Sequence, residues 1–295
     1  MADSSALRRR LRRERRAAAR QRRVPATKLA QIGAAGAVLV PAQIAARLIV
    51  PRSARPAIPS LFHKIVCQSL GIRVRLHGRP ARRHGVLFVS NHLGWVDIPV
   101  LGSKLLGSFV SKAEVDGWGV LGYLARLQDT IYVERERRSA AGEQRDAIFA
   151  RLKRGGRVIL FPEGTNSDGT RVLPFKSALF SVVEGADGED FLIQPVTVAY
   201  TRVNGMPVNR STLPQLAWVG DTQLTPHLAQ FMRLGRIEAH IWLHPPVRRA
   251  DFPSRKALAA HCQAVIADGY ERLMRGELPP GALPARQGLA YGAAA

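Results

Sequence analysis

Gly85-Val86-Leu87-Phe88-Val89-Ser90-Asn91-His92-Leu93-Gly94-Trp95-Val96-Asp97 is the stretch on which the reading of this chain turns. Val86–Ser90 is a short apolar run bounded by turn-formers, which reads as a buried strand. Asn91 to Gly94 is a polar turn, and an apolar helical pattern starts at Asp97. Strand, turn and helix start together present a histidine at the edge of a sheet. An imidazole can accept a proton near neutral pH, and a carboxylate on its other ring nitrogen fixes the tautomer and stabilises the imidazolium. His92 and Asp97 therefore form half of a catalytic triad. Taken by itself, the pair reads better as a turn histidine followed by an N-capping aspartate.

Outward from this stretch, β-rich runs alternate with helical ones. Strands are expected at Ile72–Leu76, Val86–Ser90, Ser108–Ser111, Ile131–Val133, Val158–Phe161, Leu192–Tyr200 and Arg236–Leu243. Helices are expected at Asp97–Leu106, Val120–Leu127, Ser139–Lys153, Lys176–Glu184 and from about Pro253 to Arg275, where Leu258, Cys262, Val265, Ile266, Tyr270 and Leu273 share a face. Alternation of this kind predicts an α/β domain, a mixed and largely parallel sheet flanked by helices. The 295 residues, 46% hydrophobic, suit one sizeable domain with appendages. We place these at residues 1–57, a basic tail and apolar segment; 58–275, the catalytic domain; and 276–295, a flexible Pro-, Gly- and Ala-rich tail.

Lys and Arg number 44 against 22 Asp and Glu, a formal charge of +22. Such an excess calls for an anionic partner: nucleic acid, a membrane surface or a phosphorylated substrate. Arginines crowd the first two dozen residues, and no aromatic residue there offers a base-stacking platform, which disfavours nucleic acid. An apolar segment follows, roughly Leu29 to Val50. It has the length of a membrane span, about 20 residues, but Gln31, Gln43 and Arg47 interrupt it and Pro41 predicts a kink. Arg52 and Arg55 put positive charge on its far side too, which argues against a simple crossing. A kinked hairpin or an interfacial helix fits better. An anionic membrane surface is the expected partner. Cys67 and Cys262 make no metal or disulfide pattern, and a reducing compartment is the plain reading.

Three further segments carry chemistry. Phe161-Pro162-Glu163-Gly164-Thr165 ends a buried strand in a turn; Gly164 permits close backbone approach to a ligand, and the Thr165 hydroxyl with neighbouring N–H groups can hold an oxyanion. The following Thr165-Asn166-Ser167-Asp168-Gly169 lacks the first glycine of a nucleophile elbow, so a serine hydrolase is a poor reading. Tyr132-Val133-Glu134-Arg135 puts an arginine at a strand end, where its fork can chelate a phosphate. Ile193-Gln194-Pro195-Val196 is an apolar strand with a proline.

In this order the four segments resemble the glycerolipid acyltransferase family, which contains bacterial 1-acylglycerol-3-phosphate acyltransferase. The resemblance covers roughly Ile72 to Thr201. It implies the glycerolipid acyltransferase fold, an N-terminal membrane-associating helical segment and docking to the cytoplasmic membrane face. It also implies an O-acyltransferase of phospholipid biosynthesis that moves a fatty acyl group from acyl-CoA or acyl-carrier protein to a lysolipid acceptor. On that reading His92 is the general base and Asp97 its orienting carboxylate. Asn91, Arg135, Glu163, Gly164 and Thr165 bind substrate, with Arg135 on the acceptor phosphate and Thr165 a candidate oxyanion contact. No metal and no cofactor beyond the acyl co-substrate is required, because a thioester is already activated and needs a base and a stabilised oxyanion. The acceptor the resemblance implies first is 1-acylglycerol-3-phosphate.

One position departs from the pattern. Many family members carry arginine directly after Glu-Gly-Thr, where this chain has Asn166; Arg171 and Lys176 are the candidates to supply that charge. Members that acylate lyso-ornithine lipid also lack the arginine, which makes lyso-ornithine lipid the alternative acceptor. Outside the family, the arginine-rich tail alone supports a non-catalytic membrane or nucleic-acid binder.

Overall fold

The structure is a computed structural model that describes residues 26–51, 55–82, 85–133, 140–184, 191–220 and 223–279. Helix α1 (Ala26–Ile49) runs antecedent to α2 (Ala57–Leu70), which ends at Gly71 in the left-handed conformation, φ 80°. There Gly71 lies against the Gly235 carbonyl, so a side chain at this C-cap would meet backbone. The remaining elements are β1 (Ile72–His77), β2 (Val86–Ser90), α3 (Asp97–Gly102), β3 (Ser108–Lys112), α4 (Val120–Leu127), β4 (Ile131–Val133), α5 (Ala140–Lys153) and β5 (Arg157–Leu160). After these come β6 (Leu192–Val203), β7 (Met206–Pro207), α6 (Leu213–Leu216), α7 (Leu224–Phe231), β8 (Ile237–Leu243), β9 (Val247–Arg248) and α8 (Arg255–Met274).

The sheet runs in the order β1-β8-β6-β2-β5-β3-β4, with β7 and β9 paired to β6. Neighbours are parallel except where β6 meets β8, β7 and β9, all antiparallel to it. This is the mixed, largely parallel sheet the alternation predicts. Burial on both faces explains why β2 is apolar at every position instead of alternating. Val86 and Phe88 point into the core beneath α2 and α3, while Leu87 and Val89 join Leu258, Cys262 and Ile266 of α8 on the opposite face. Within β6 the same period of two sends Val196, Val198 and Tyr200 to the α2 side.

Several boundaries differ from the sequence reading. The helix expected over Asp97–Leu106 stops at Gly102, whose bare Cα lies against the His63 ring of α2; a Cβ there would come within 2.4 Å of the ring. Lys176–Glu184 is not an α-helix but a 3-10 stretch, Ser177–Val183. Residues 29–50 form no hairpin: α1 is one helix with Pro41 inside it, about 36 Å long at 1.5 Å per residue. It is long and apolar enough to cross a membrane, yet most of its surface is exposed. Its ends are fastened to the domain. The Lys28 ammonium donates to the carbonyls of Leu70, Met232 and Leu234, the Gln43 amide donates to Leu127 O, and Arg47 reaches Arg126 O and Asp129.

Candidate active site

The site lies one residue beyond the end of β2. Ser90 is the last β2 residue paired with β6, opposite Val196. Asn91 continues the pairing with its side chain: Nδ2 donates to Val198 O at 2.9 Å and Oδ1 accepts from Val198 N at 2.8 Å. The amide thus acts as an extra rung of the sheet, and the strand can turn away without leaving the β6 groups unpaired. The first residue after this rung is His92.

Its imidazole Nδ1 is 2.8 Å from Asp97 Oδ2. With a carboxylate as partner, Nδ1 carries the proton and Nε2 is left as the acceptor. Asp97 is fully buried. Its Oδ2 also accepts from Leu93 N at 2.6 Å and Gly94 N at 3.0 Å, and its Oδ1 accepts from the Tyr200 hydroxyl at 2.7 Å. Four hydrogen bonds satisfy a carboxyl group that would otherwise be costly to bury. These backbone bonds come from residues preceding α3, so Asp97 closes the turn back on itself and does not serve as the N-cap of the bland reading. The His92 ring stacks on Phe161, with centroids 3.9 Å apart and planes 15° from parallel. Its side chain is 18% exposed, and among the described residues Nε2 has no hydrogen-bond partner.

A second loop, after β5, holds the first. Glu163 Oε1 accepts from His92 N at 3.0 Å and Oε2 accepts from Leu173 N at 3.3 Å. Ser167 N donates to His92 O at 2.8 Å. Burial pushes the Glu163 carboxyl up to about 8, against the two backbone donors that pull it down. Gly164 takes φ 71°, and the Lys176 ammonium lies over it, where a Cβ would come within 2.7 Å of Nζ. Thr165 is exposed at the tip of the turn. Asn166 donates its amide to Trp218 O at 2.7 Å, and Trp218 N donates to Leu93 O at 2.9 Å, closing a third side of the site.

The sequence-picked residues thus converge, but with different postures. His92, Asp97, Asn91, Glu163, Gly164 and Thr165 meet within two adjoining loops. The side chains of Asn91 and Glu163 are spent on backbone groups and leave little to offer a ligand. Arg135, with Glu134, lies outside the described residues. Arg171 and Lys176 are exposed beside the second loop. Sequence reasoning passed over Tyr200 and Trp218, and gave Phe161 and Ser167 no role in the site. Tyr200 alone left a signal: a phenol within a fully apolar strand needs a buried partner for its hydroxyl.

An imidazole held by a buried carboxylate, with no serine hydroxyl or cysteine thiol hydrogen-bonded to it among the described residues, is an arrangement that can deprotonate a hydroxyl, as transfer from an activated acyl donor requires. Comparison with known proteins agrees. The acyltransferase family model matches residues 73–199. The lyso-ornithine lipid O-acyltransferase of Brucella abortus is 43% identical over 206 residues, 68% of this chain and 77% of that protein. Its namesake from Rhizobium meliloti is 41% identical over 208 residues, 69% and 71% of the two chains. The 1-acyl-sn-glycerol-3-phosphate acyltransferase of Neisseria meningitidis is 32% identical over 173 residues, 58% and 64%. In structure, the 1-acyl-sn-glycerophosphate acyltransferase from Thermotoga maritima superposes with a TM-score of 0.56 at 22% identity, over 83% of this chain and 90% of that one, and so shares the fold. The chain belongs to the glycerolipid acyltransferase family. Its activity is acyl transfer to a lysolipid acceptor.

Proposed function

We propose that this protein is a lyso-ornithine lipid O-acyltransferase in which His92 is the general base and Asp97 its orienting carboxylate. Acyl-CoA or acyl-carrier protein supplies the thioester. His92 Nε2 takes the proton of the acceptor hydroxyl as its oxygen attacks the thioester carbonyl. The tetrahedral intermediate collapses by breaking the C–S bond, and the proton on Nε2 passes to the departing sulfur. The products are an ester and a free thiol, so atoms and charges balance without a covalent acyl-enzyme. The observation that carries this role is the Nδ1 bond to a four-times hydrogen-bonded Asp97, with no partner on Nε2 among the described residues.

The acceptor follows from Asn166. Where a phosphate-reading member of the family places arginine, this chain has a neutral amide already committed to Trp218 O. An ornithine headgroup carries an ammonium and a carboxylate and makes no demand for a bidentate cation there. The named relatives at 43% and 41% identity support the same acceptor. Exposed Arg171 and Lys176, with Arg135, favour 1-acylglycerol-3-phosphate as the second reading. We further place the enzyme on the cytoplasmic face of an anionic membrane, held by α1 and the arginine-rich residues before it.

The test offers purified enzyme an equimolar mixture of lyso-ornithine lipid and 1-acylglycerol-3-phosphate with an acyl donor, and products are read by mass spectrometry. Acylated ornithine lipid is the expected product; exclusive formation of phosphatidate would overturn the acceptor. His92→Ala is expected to lower turnover at least about a hundredfold, the scale of a lost general base. Unchanged turnover in that variant would remove the mechanism.

A further inference from the structure

Among the described residues of the catalytic domain, the segment from Gly117 to Tyr123 gathers the most exposed large apolar side chains, and the proposed chemistry makes no use of it. Trp118, Val120, Leu121 and Tyr123 are 38%, 75%, 46% and 41% exposed. Within α4 only Gly122 is buried, where its bare Cα rests on the carbonyls of Val115 and Asp116. A Cβ built on Gly117 or Gly119 would meet nothing within 4 Å, so the tip stands clear of the body. An eight-residue apolar helix without cover is costly in water at about 25 cal/mol per Å² of apolar surface.

Two contacts say what covers it. The far end of α4 is fastened to α1 through Gln43 on Leu127 O and Arg47 on Arg126 O, which makes the two exposed apolar surfaces neighbours. On α1, Val38, Ile44, Leu48 and Ile49 are between 42% and 82% exposed. At the other end, the Trp118 ring meets the Trp218 ring edge to face, centroids 5.8 Å apart. Trp218 is in turn bonded through its backbone to Leu93 and Asn166, one residue from the base. Of the acidic groups near this face, Asp116 is paired with Arg126 and Asp129 with Arg47, while Glu114 on the adjoining 3-10 turn is exposed.

We propose that Trp118, Val120 and Leu121 form a wedge that enters the acyl-chain region of an anionic lipid leaflet beside His92, so that a lysolipid reaches the site from the membrane without crossing water. The proposal rests on the lysolipid reading of the activity. It commits to lipid as the occupant because the acceptor is a lipid and because α1, of membrane-spanning length, is hydrogen-bonded to the same helix. Interfacial tryptophan at the border between an apolar wedge and a polar site matches the behaviour of amphipathic rings at lipid–water boundaries.

A thiol-directed environment-sensitive fluorophore tests it. Both native cysteines are buried, with thiols pushed up to about 12, so a cysteine introduced on the surface takes the label. Val120→Cys carries the probe on the wedge; Ala260→Cys carries it on the exposed side of α8, across the sheet. Vesicles of dioleoylphosphatidylglycerol, with neither acceptor nor donor, are added to the full-length protein. The wedge probe is expected to shift to the blue, brighten at least threefold and be quenched by lipids spin-labelled on the acyl chain, while the α8 probe stays unchanged. A wedge probe that remains aqueous overturns the proposal, whether the protein sediments with vesicles through α1 alone or does not bind at all. Because no turnover is involved, this outcome is independent of which lysolipid is the acceptor. A double variant, Val120→Glu with Leu121→Glu, adds a second readout. Turnover on vesicle-embedded lysolipid is expected to fall at least tenfold, with a smaller than threefold change on a monomeric short-chain acceptor. Equal losses on both would also overturn it.

Discussion

Asp97 sits in the core on four hydrogen bonds, and only one of them leads to the histidine. Tyr200 supplies the bond on the far oxygen. Burial and the adjacent Asp97 carboxyl push its phenol well above 10, so it remains a donor throughout the working range. Tyr200→Phe removes that donor without changing the packing volume. It leaves Asp97 Oδ1 unpaired, at a cost of about 1–3 kcal/mol in a urea melt. With Asp97 less firmly held, the imidazole is less firmly oriented, so kcat is expected to fall severalfold with KM unchanged. A purely structural tyrosine would lower stability and leave kcat in place. Glu163 makes a different prediction. Its carboxyl is pushed up to about 8 by burial, from an ordinary value of 4.5. Between those two values the folded state binds the proton that the unfolded state has released, so this group's contribution to stability falls as pH rises. Glu163→Gln is expected to flatten the decline in melting temperature between pH 5 and 8; an unchanged slope would contradict it. Of these residues the sequence shows His92, Asp97 and Glu163, because their motifs are contiguous. Tyr200 is 103 residues from Asp97 and reaches it only through the register of β6 against β2, which no local pattern encodes.

At the scale of elements, α8 closes the face of the sheet opposite α2, and its start is fixed by Ser254, whose hydroxyl accepts from Ala257 N at 3.2 Å. Ser254→Ala is expected to cost about 1 kcal/mol, a typical N-cap loss, and to lower the thermal midpoint without changing KM. An unchanged midpoint would show that the 20-residue helix does not need its cap. The long periodic helix and the buried strands were legible because burial imposes a period on their residues. The elements that were not legible have no such period. Ala57–Leu70 begins with Ala57-Ile58-Pro59 and falls on the junction between the tail and the domain. Leu213–Leu216 and Leu224–Phe231 mix proline, threonine and glutamine, and one buried side helps hold them: His227 takes a bond from the Trp95 indole and bonds Ala217 O. The stretch at Ser177–Val183 ends in Ser181-Val182-Val183, residues of lower helix propensity, and tightens into a 3-10 helix.

At the scale of the whole molecule, α1 is no loose appendage. A single ammonium, that of Lys28, serves the end of α2 and the turn after α7 together, at 3.3, 2.9 and 3.0 Å from three carbonyls. Lys28→Met keeps the apolar stem and removes the donors, and a loss of about 1–3 kcal/mol in chemical denaturation is expected. No loss would mean that α1 stays docked through its contacts with α2 and the bonds of Gln43 and Arg47. The rung formed by Asn91 has a consequence for the way the enzyme fails. Val198 exchanges both of its backbone groups with that amide, His92 gives its N–H to Glu163 and its carbonyl to Ser167, and Leu93 and Gly94 give their N–H groups to Asp97. No part of the histidine loop can swing out without breaking the sheet that carries it. Loss of activity on heating and loss of the fold are then expected to coincide, with the amide protons of Leu93 and Val198 exchanging with solvent only when the whole domain opens.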